Sequence, residues 1–103
     1  MVFVHIVLFK LKPRVAASDL QAFVAKVDTL KSLSVVKEKC LAINHGPPVI
    51  TDRAQGFDYG LYTHFKSHED YEVYRVDPGH KEFVQNVVIP NTDSVLAYDW
   101  DNP

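Results

Sequence analysis

Residues 2–11 read VFVHIVLFKL, a run that is apolar on both of the sides a strand presents. β-Branched and aromatic residues dominate it and Lys12-Pro13 closes it, which marks a strand. Val2, Val4, Ile6 and Leu8 fall on one side, and Phe3, His5, Val7, Phe9 and Leu11 on the other. Such a strand needs cover on both sides. A chain of 103 residues makes one compact domain, 1–103, with a modest core, and its helices can cover only one face of a sheet. The other face therefore asks for a second copy, a homodimer packed through the open sheet face.

The rest of the chain alternates cleanly between strand and helix periods. Ser18 and Gln21 have the spacing of a capping box, and Leu20, Phe23, Val24, Val27 and Leu30 follow on one helical face, predicting a helix from about Asp19 to Leu33. A strand is predicted over Lys37 to Asn44, then a turn-rich loop from His45-Gly46-Pro47-Pro48 to Gln55. Phe57 to Lys66 alternates as a strand, with Phe57, Tyr59, Leu61, Thr63 and Phe65 on its core side. Ser67 and Asp70 form a second cap signature, opening a short helix in which Tyr71 and Tyr74 share a face. Pro78 disfavours helix at Asp77 and suits a new first turn, so the helix kinks and restarts. Val95 to Trp100 is the closing strand. The order β-α-β-β-α-β predicts an α+β, ferredoxin-like unit: a four-stranded antiparallel sheet with helices on one face.

Charge and cysteine usage narrow the function classes. Eleven basic against thirteen acidic residues, a net charge of -2 and no basic run argue against a nucleic-acid partner. Lys10 and Lys12 interrupt the opening apolar run far short of a membrane span, and it has neither a charged leader nor a small-residue cleavage site. No membrane partner is expected. A lone cysteine, Cys40, makes no internal disulfide and fits a reducing, cytoplasmic setting; with no histidine beside it in sequence it reads as a small buried hydrophobe. His45, His64 and His68 have no metal-ligand spacing and read as solvated, so no metal is expected.

His80 is the residue that raises the question of chemistry. Within the restarted helix His80, Phe83, Val84 and Val87 fall at i, i+3, i+4 and i+7, which sets an imidazole on an apolar face. A polar group there is either a satisfied core residue or a working one. Tyr74, one kink away, supplies a partner for chemistry. His5, on the opening strand, has the same two readings.

Three stretches carry a family resemblance: HIVLFKLK at the start, F-x-S-x-E-D-Y-x-x-Y-x-x-D-P-x-H-x-x-F from Phe65 to Phe83, and VLAYDW at the end. With them the chain resembles the stress-responsive dimeric α/β-barrel (Dabb) proteins over nearly its whole length. That resemblance implies a homodimer of ferredoxin-like units whose sheets meet as a barrel. Members include heat-stable plant proteins and a plant cyclase that makes olivetolic acid.

Similarity to the cyclase implies catalytic roles for Tyr74, His80 and His5 in a cofactor-free intramolecular aldol closure of a polyketide. A neutral imidazole, with a reference pKa of about 6.5, suits removal of a proton between two carbonyls. A tyrosine hydroxyl suits the developing oxyanion. The resemblance also implies a pocket for a small hydrophobic ligand between sheet and helices. Val7, Phe9, Phe23 and Val24 would line it, together with Val27, Tyr59, Leu61, Val95 and Ala97. The chain departs from the cyclase at Tyr59 and Val27, where that enzyme has a histidine and a tyrosine, and in the loop from His45 to Gln55. Three functions follow: a polyketide cyclase-like lyase, a non-catalytic stress-response or ligand-binding barrel, and a cofactor-independent monooxygenase of phenolic substrates.

Overall fold

A computed structural model describes residues 1–103. Four strands, β1 (Val2–Leu11), β2 (Cys40–Gly46), β3 (Tyr59–Phe65) and β4 (Thr92–Asn102), form one antiparallel sheet in the order β2-β3-β1-β4. The two-sided apolar strand is thus an inner strand, paired on both edges. The α+β, ferredoxin-like arrangement is as the sequence indicates.

Register sorts the faces. Phe9 pairs with Tyr59 and Val95, Val7 with Leu61 and Ala97, His5 with Thr63 and Asp99, and Phe3 with Phe65 and Asp101, so these side chains share the helix side. On the other side lie three rows crossing all four strands: Gly46, Gly60, Leu8, Leu96; then Asn44, Tyr62, Ile6, Tyr98; then Ala42, His64, Val4, Trp100. No helix covers these rows. Leu96, Tyr98 and Trp100 are exposed there, whereas Val4, between Trp100 and His64, is buried by its neighbours.

Helix α1 (Leu20–Asp28) is entered through a wider helical turn, Val15–Asp19, and leaves through a tight turn, Thr29–Ser32. It presses Phe23 and Val27, and the turn after it Leu30, onto Phe9, Leu11, Tyr59 and Leu61. A second core cluster joins Val35 and Val36 of α2 (Ser34–Lys39) and Tyr71 and Tyr74 of α3 (His68–Val76) to Phe3 and Phe65 of the sheet. Beyond the kink, α4 (Pro78–Phe83) runs through Val84–Val88 into α5 (Ile89–Asn91) and returns Phe83 and Val87 to the first cluster.

Two sequence expectations are corrected. Ser18 and Gln21 do not cap the first helix: helical backbone is already under way at Val15, and the Lys12 carbonyl accepts from the Val15 and Ala16 amides at 2.9 and 3.0 Å. Pro13 supplies the preset φ for that earlier start, so Ser18 lies inside a turn. The strand predicted over Lys37–Asn44 is helix to Lys39 and strand only from Cys40 to Gly46. Lys37-Glu38-Lys39 are helix formers, and Val35 and Val36 gain more by burying against the tyrosine face than by extending. The flanking strands shift at their ends, with β3 shorter and β4 longer than read.

Candidate functional site

The Asp77-Pro78 kink builds the site's geometry. Asp77 stays extended and its Oδ2 accepts from the Gly79 and His80 amides at 2.9 and 3.2 Å, capping α4, with Pro78 in the first turn. A Cβ at Gly79 would meet Leu33 Cδ2 at 2.8 Å, so glycine is what lets the kink pack this close to the preceding chain. The opening of α3 is fixed as the sequence indicates, Ser67 Oγ accepting from the Asp70 amide at 3.2 Å.

The kink folds His80 back onto Tyr74. Their ring centres lie 4.2 Å apart, tilted by 40°. Nδ1 of His80 faces the Arg75 carbonyl at 3.2 Å and must donate to it, because a carbonyl only accepts. In the neutral ring Nε2 is therefore left as a free acceptor. Burial lowers the His80 pKa, opposed by the Arg75 bond and assisted by the nearby charge of His5. Tyr74 is almost wholly buried, and burial pushes its phenol strongly upward, so the hydroxyl keeps its proton. That hydroxyl bonds to nothing within the chain.

His5 lies alongside. Its Nδ1 donates to the Asp99 carboxylate directly across the β1–β4 pairing, and its ring packs 4.7 Å from that of Tyr71, which is 6.2 Å from Tyr74. Asp99 thereby holds the His5 ring with Nε2 turned away from the carboxylate. Asp99 was not among the expected site residues. The available signal was its place on the same side of the closing strand as Val95 and Ala97.

The residues expected to line a pocket divide. Phe9, Phe23, Val27, Tyr59 and Leu61 pack together in the first core cluster, with Val7 and Val24 against it, while Val95 and Ala97 are exposed on β4. Of the three expected catalytic residues, His5 borders that exposed strand, paired with Asp99. No three His, Cys, Asp or Glu side chains converge as metal ligands would.

His45 corrects another expectation. It is not a solvated loop residue but part of β2, with a buried ring whose Nε2 donates to Asp28 Oδ1 at 2.9 Å and whose Nδ1 meets the Tyr59 hydroxyl at 2.6 Å. The Tyr59 phenol is pushed up by burial and by the Asp28 charge, and Asp28 is held down chiefly by His45 and Lys31. His64 bonds the Tyr62 hydroxyl at 2.9 Å, and His68 stacks on Phe3 at 4.7 Å. Cys40 is half-buried, its thiol donating to the Ala42 carbonyl at 3.0 Å, and burial raises its pKa.

Comparison with known proteins places the chain in a family. The chain is 30% identical over 96 residues to a stress-response A/B barrel domain-containing protein of Arabidopsis thaliana, covering 93% of this chain and 35% of that protein. It thus spans about a third of the length of that relative. Among solved structures, a dimeric ferredoxin-like protein of unknown function from Thermobifida fusca superposes with a TM-score of 0.81 at 15% identity, covering 99% of this chain and 92% of that one. The hydroxynitrile lyase of Passiflora edulis gives 0.80 at 18% identity, covering 96% and 91%. At these identities the solved structures speak to fold alone. The model of the stress-responsive A/B barrel domain matches residues 3–102, and the chain belongs to that family.

Proposed function

We propose that this chain is a cofactor-independent enzyme that moves protons on a small, hydrophobic, polyketide-like carbonyl compound, closing it by an intramolecular aldol step. One observation carries the reading: His80 is turned by the Arg75 carbonyl so that Nε2 is free, and it lies against a tyrosine whose protonated hydroxyl has no partner in the chain. Nε2 takes a proton from the carbon between two carbonyls, and the enolate carbon attacks a second carbonyl of the same molecule. A carbon–carbon bond forms as that carbonyl's π bond opens to an alkoxide. The Tyr74 hydroxyl donates to the oxyanions, and the proton on His80 returns to the alkoxide. His5, held by Asp99, flanks the reacting group, and the uncovered side of β4 with Val95 and Ala97 offers the alkyl tail its approach.

The enzyme acts as a homodimer. Support comes from the apolar rows on the open face, with Leu96, Tyr98 and Trp100 exposed, and from a structural neighbour described as dimeric. Incubation with a linear alkyl polyketone, followed by chromatography of the cyclised product, tests the activity. Product should form above the uncatalysed rate with wild type and not with His80→Ala. Equal rates for wild type, His80→Ala and buffer would exclude the reading.

A second reading, a non-catalytic barrel, draws on the packing of Phe9, Phe23, Val27, Tyr59 and Leu61 into one filled cluster where a substrate pocket was expected. It predicts no turnover, and an effect of His80 substitution on stability alone.

A further inference from the structure

We infer that the homodimer interface is pH-sensitive: His64 lets two copies of the chain associate while its ring is neutral and parts them when the ring is charged. The inference rests on the homodimer through the open sheet face proposed above. His64 is the one histidine of five on that face. It pairs with Val4 of β1 and Ala42 of β2, whereas His5 and His45 pair with Thr63 and Leu61 on the helix side, and His68 and His80 lie in helices. It stands on an inner strand, in the row Ala42, His64, Val4, Trp100, so a second sheet laid on this face covers it.

No group around His64 can balance a positive charge. The three rows of the open face hold no carboxylate and no second group that charges near neutrality. Asp99 and Asp101, on either side of Trp100 in sequence, pair with His5 and Phe3 and so belong to the helix side. Asp58, beyond the far end of β3, is taken by the Leu11 amide. Cys40 pairs with Phe65 on the helix side and meets His64 only at its carbonyl, and Lys66, two residues along the chain, is itself a cation. A twofold interface is self-complementary, so the partner offers these same rows, and they bring no carboxylate either.

Hydrogen bonding does not offset the charge. Nδ1 of His64 meets the Tyr62 hydroxyl at 2.9 Å. The hydroxyl can donate to a neutral ring and accept from a charged one, so the bond survives protonation and what protonation adds is charge alone. Beneath apolar cover such as Leu96, Tyr98 and Trp100 supply, an unpaired charge is strongly disfavoured. Protonation therefore favours separate protomers, and each dimer that parts takes up two protons, one on each His64.

Analytical ultracentrifugation of the intact protein between pH 8 and pH 5.5, with circular dichroism at each pH, tests this. The protein should be dimeric at pH 8. Its dimer Kd should rise about a hundredfold between pH 7.5 and pH 5.5, the change expected when two ordinary histidines charge only in the free protomers, with the fold intact. His64→Gln keeps a hydrogen-bonding group beside Tyr62 and cannot charge, so its Kd should be the same at both pH values. A protein that is monomeric at pH 8 removes the dimer reading and this inference with it. A dimer whose Kd holds steady with pH, or His64→Gln weakening as wild type does, overturns the inference alone. Dissociation that comes only with loss of the circular dichroism of the fold overturns it too, because the acid response then belongs to unfolding.

Discussion

Two tyrosine–histidine pairs sit on the helix side of the sheet, and their hydrogen bonding differs. Tyr59 and His45 are joined hydroxyl to ring nitrogen at 2.6 Å, and the other nitrogen of His45 is taken by Asp28, so both ring nitrogens have partners. Tyr74 and His80 touch ring to ring at 4.2 Å, with one histidine nitrogen on the Arg75 carbonyl and the other, like the tyrosine hydroxyl, without a partner in the chain. The same two residue types thus make a strut in one place and a candidate reaction centre in the other. What separates them is bonding capacity left unsatisfied, not burial: Tyr59 and Tyr74 are both under 5% exposed.

Removing one hydroxyl from each pair breaks or sharpens the contrast. Tyr74→Phe takes away an oxyanion donor and leaves no group unpaired, so kcat should fall by about 10²–10³ with the melting temperature nearly unchanged. A large loss of stability with intact turnover would make the second pair a strut as well. Tyr59→Phe should do the reverse, costing about 1–3 kcal/mol in denaturant unfolding because His45 Nδ1 is stranded in a half-buried position, with turnover kept. If turnover collapses with Tyr59→Phe, the working pair has been misassigned.

The smallest effect is in pH. Burial lowers the folded-state pKa of His80 below its ordinary 6.5, so the unfolded chain binds more protons just below that value. The stabilising contribution of neutral His80 is full above pH 6.5 and is lost as the pH falls through the folded pKa. The melting temperature of wild type relative to His80→Asn should therefore decline between pH 8 and pH 5. A constant difference across that range would mean the ring is not desolvated.

Much of the fold was legible because it rests on local signals. The alternation of Tyr59 to Phe65 reports its buried side correctly, the Ser67–Asp70 cap forms, and Pro78 breaks and restarts the helix where the sequence indicates. The failures share a cause. Val35 and Val36 look like strand residues until the tyrosine face of α3 is there to receive them, and Ser18 looks like a cap until Pro13 starts the helix earlier. His45 looks like a loop residue because Gly46-Pro47-Pro48 follows it, and the Asp28 and Tyr59 that hold it arrive from other elements.

By itself the sequence determined the element order, the one-sided helical cover, the kink at Pro78 and the placing of Tyr74 and His80 on either side of it. Those follow from periods of two and 3.6 residues and from proline's fixed φ, properties that neighbouring residues settle among themselves. Which histidine is tied up and which keeps a free nitrogen came from the folded chain. His5 finds its carboxylate 94 positions away, across the pairing of β1 with β4. Side-chain bonds of that span depend on strand pairing and helix docking, which no local pattern encodes.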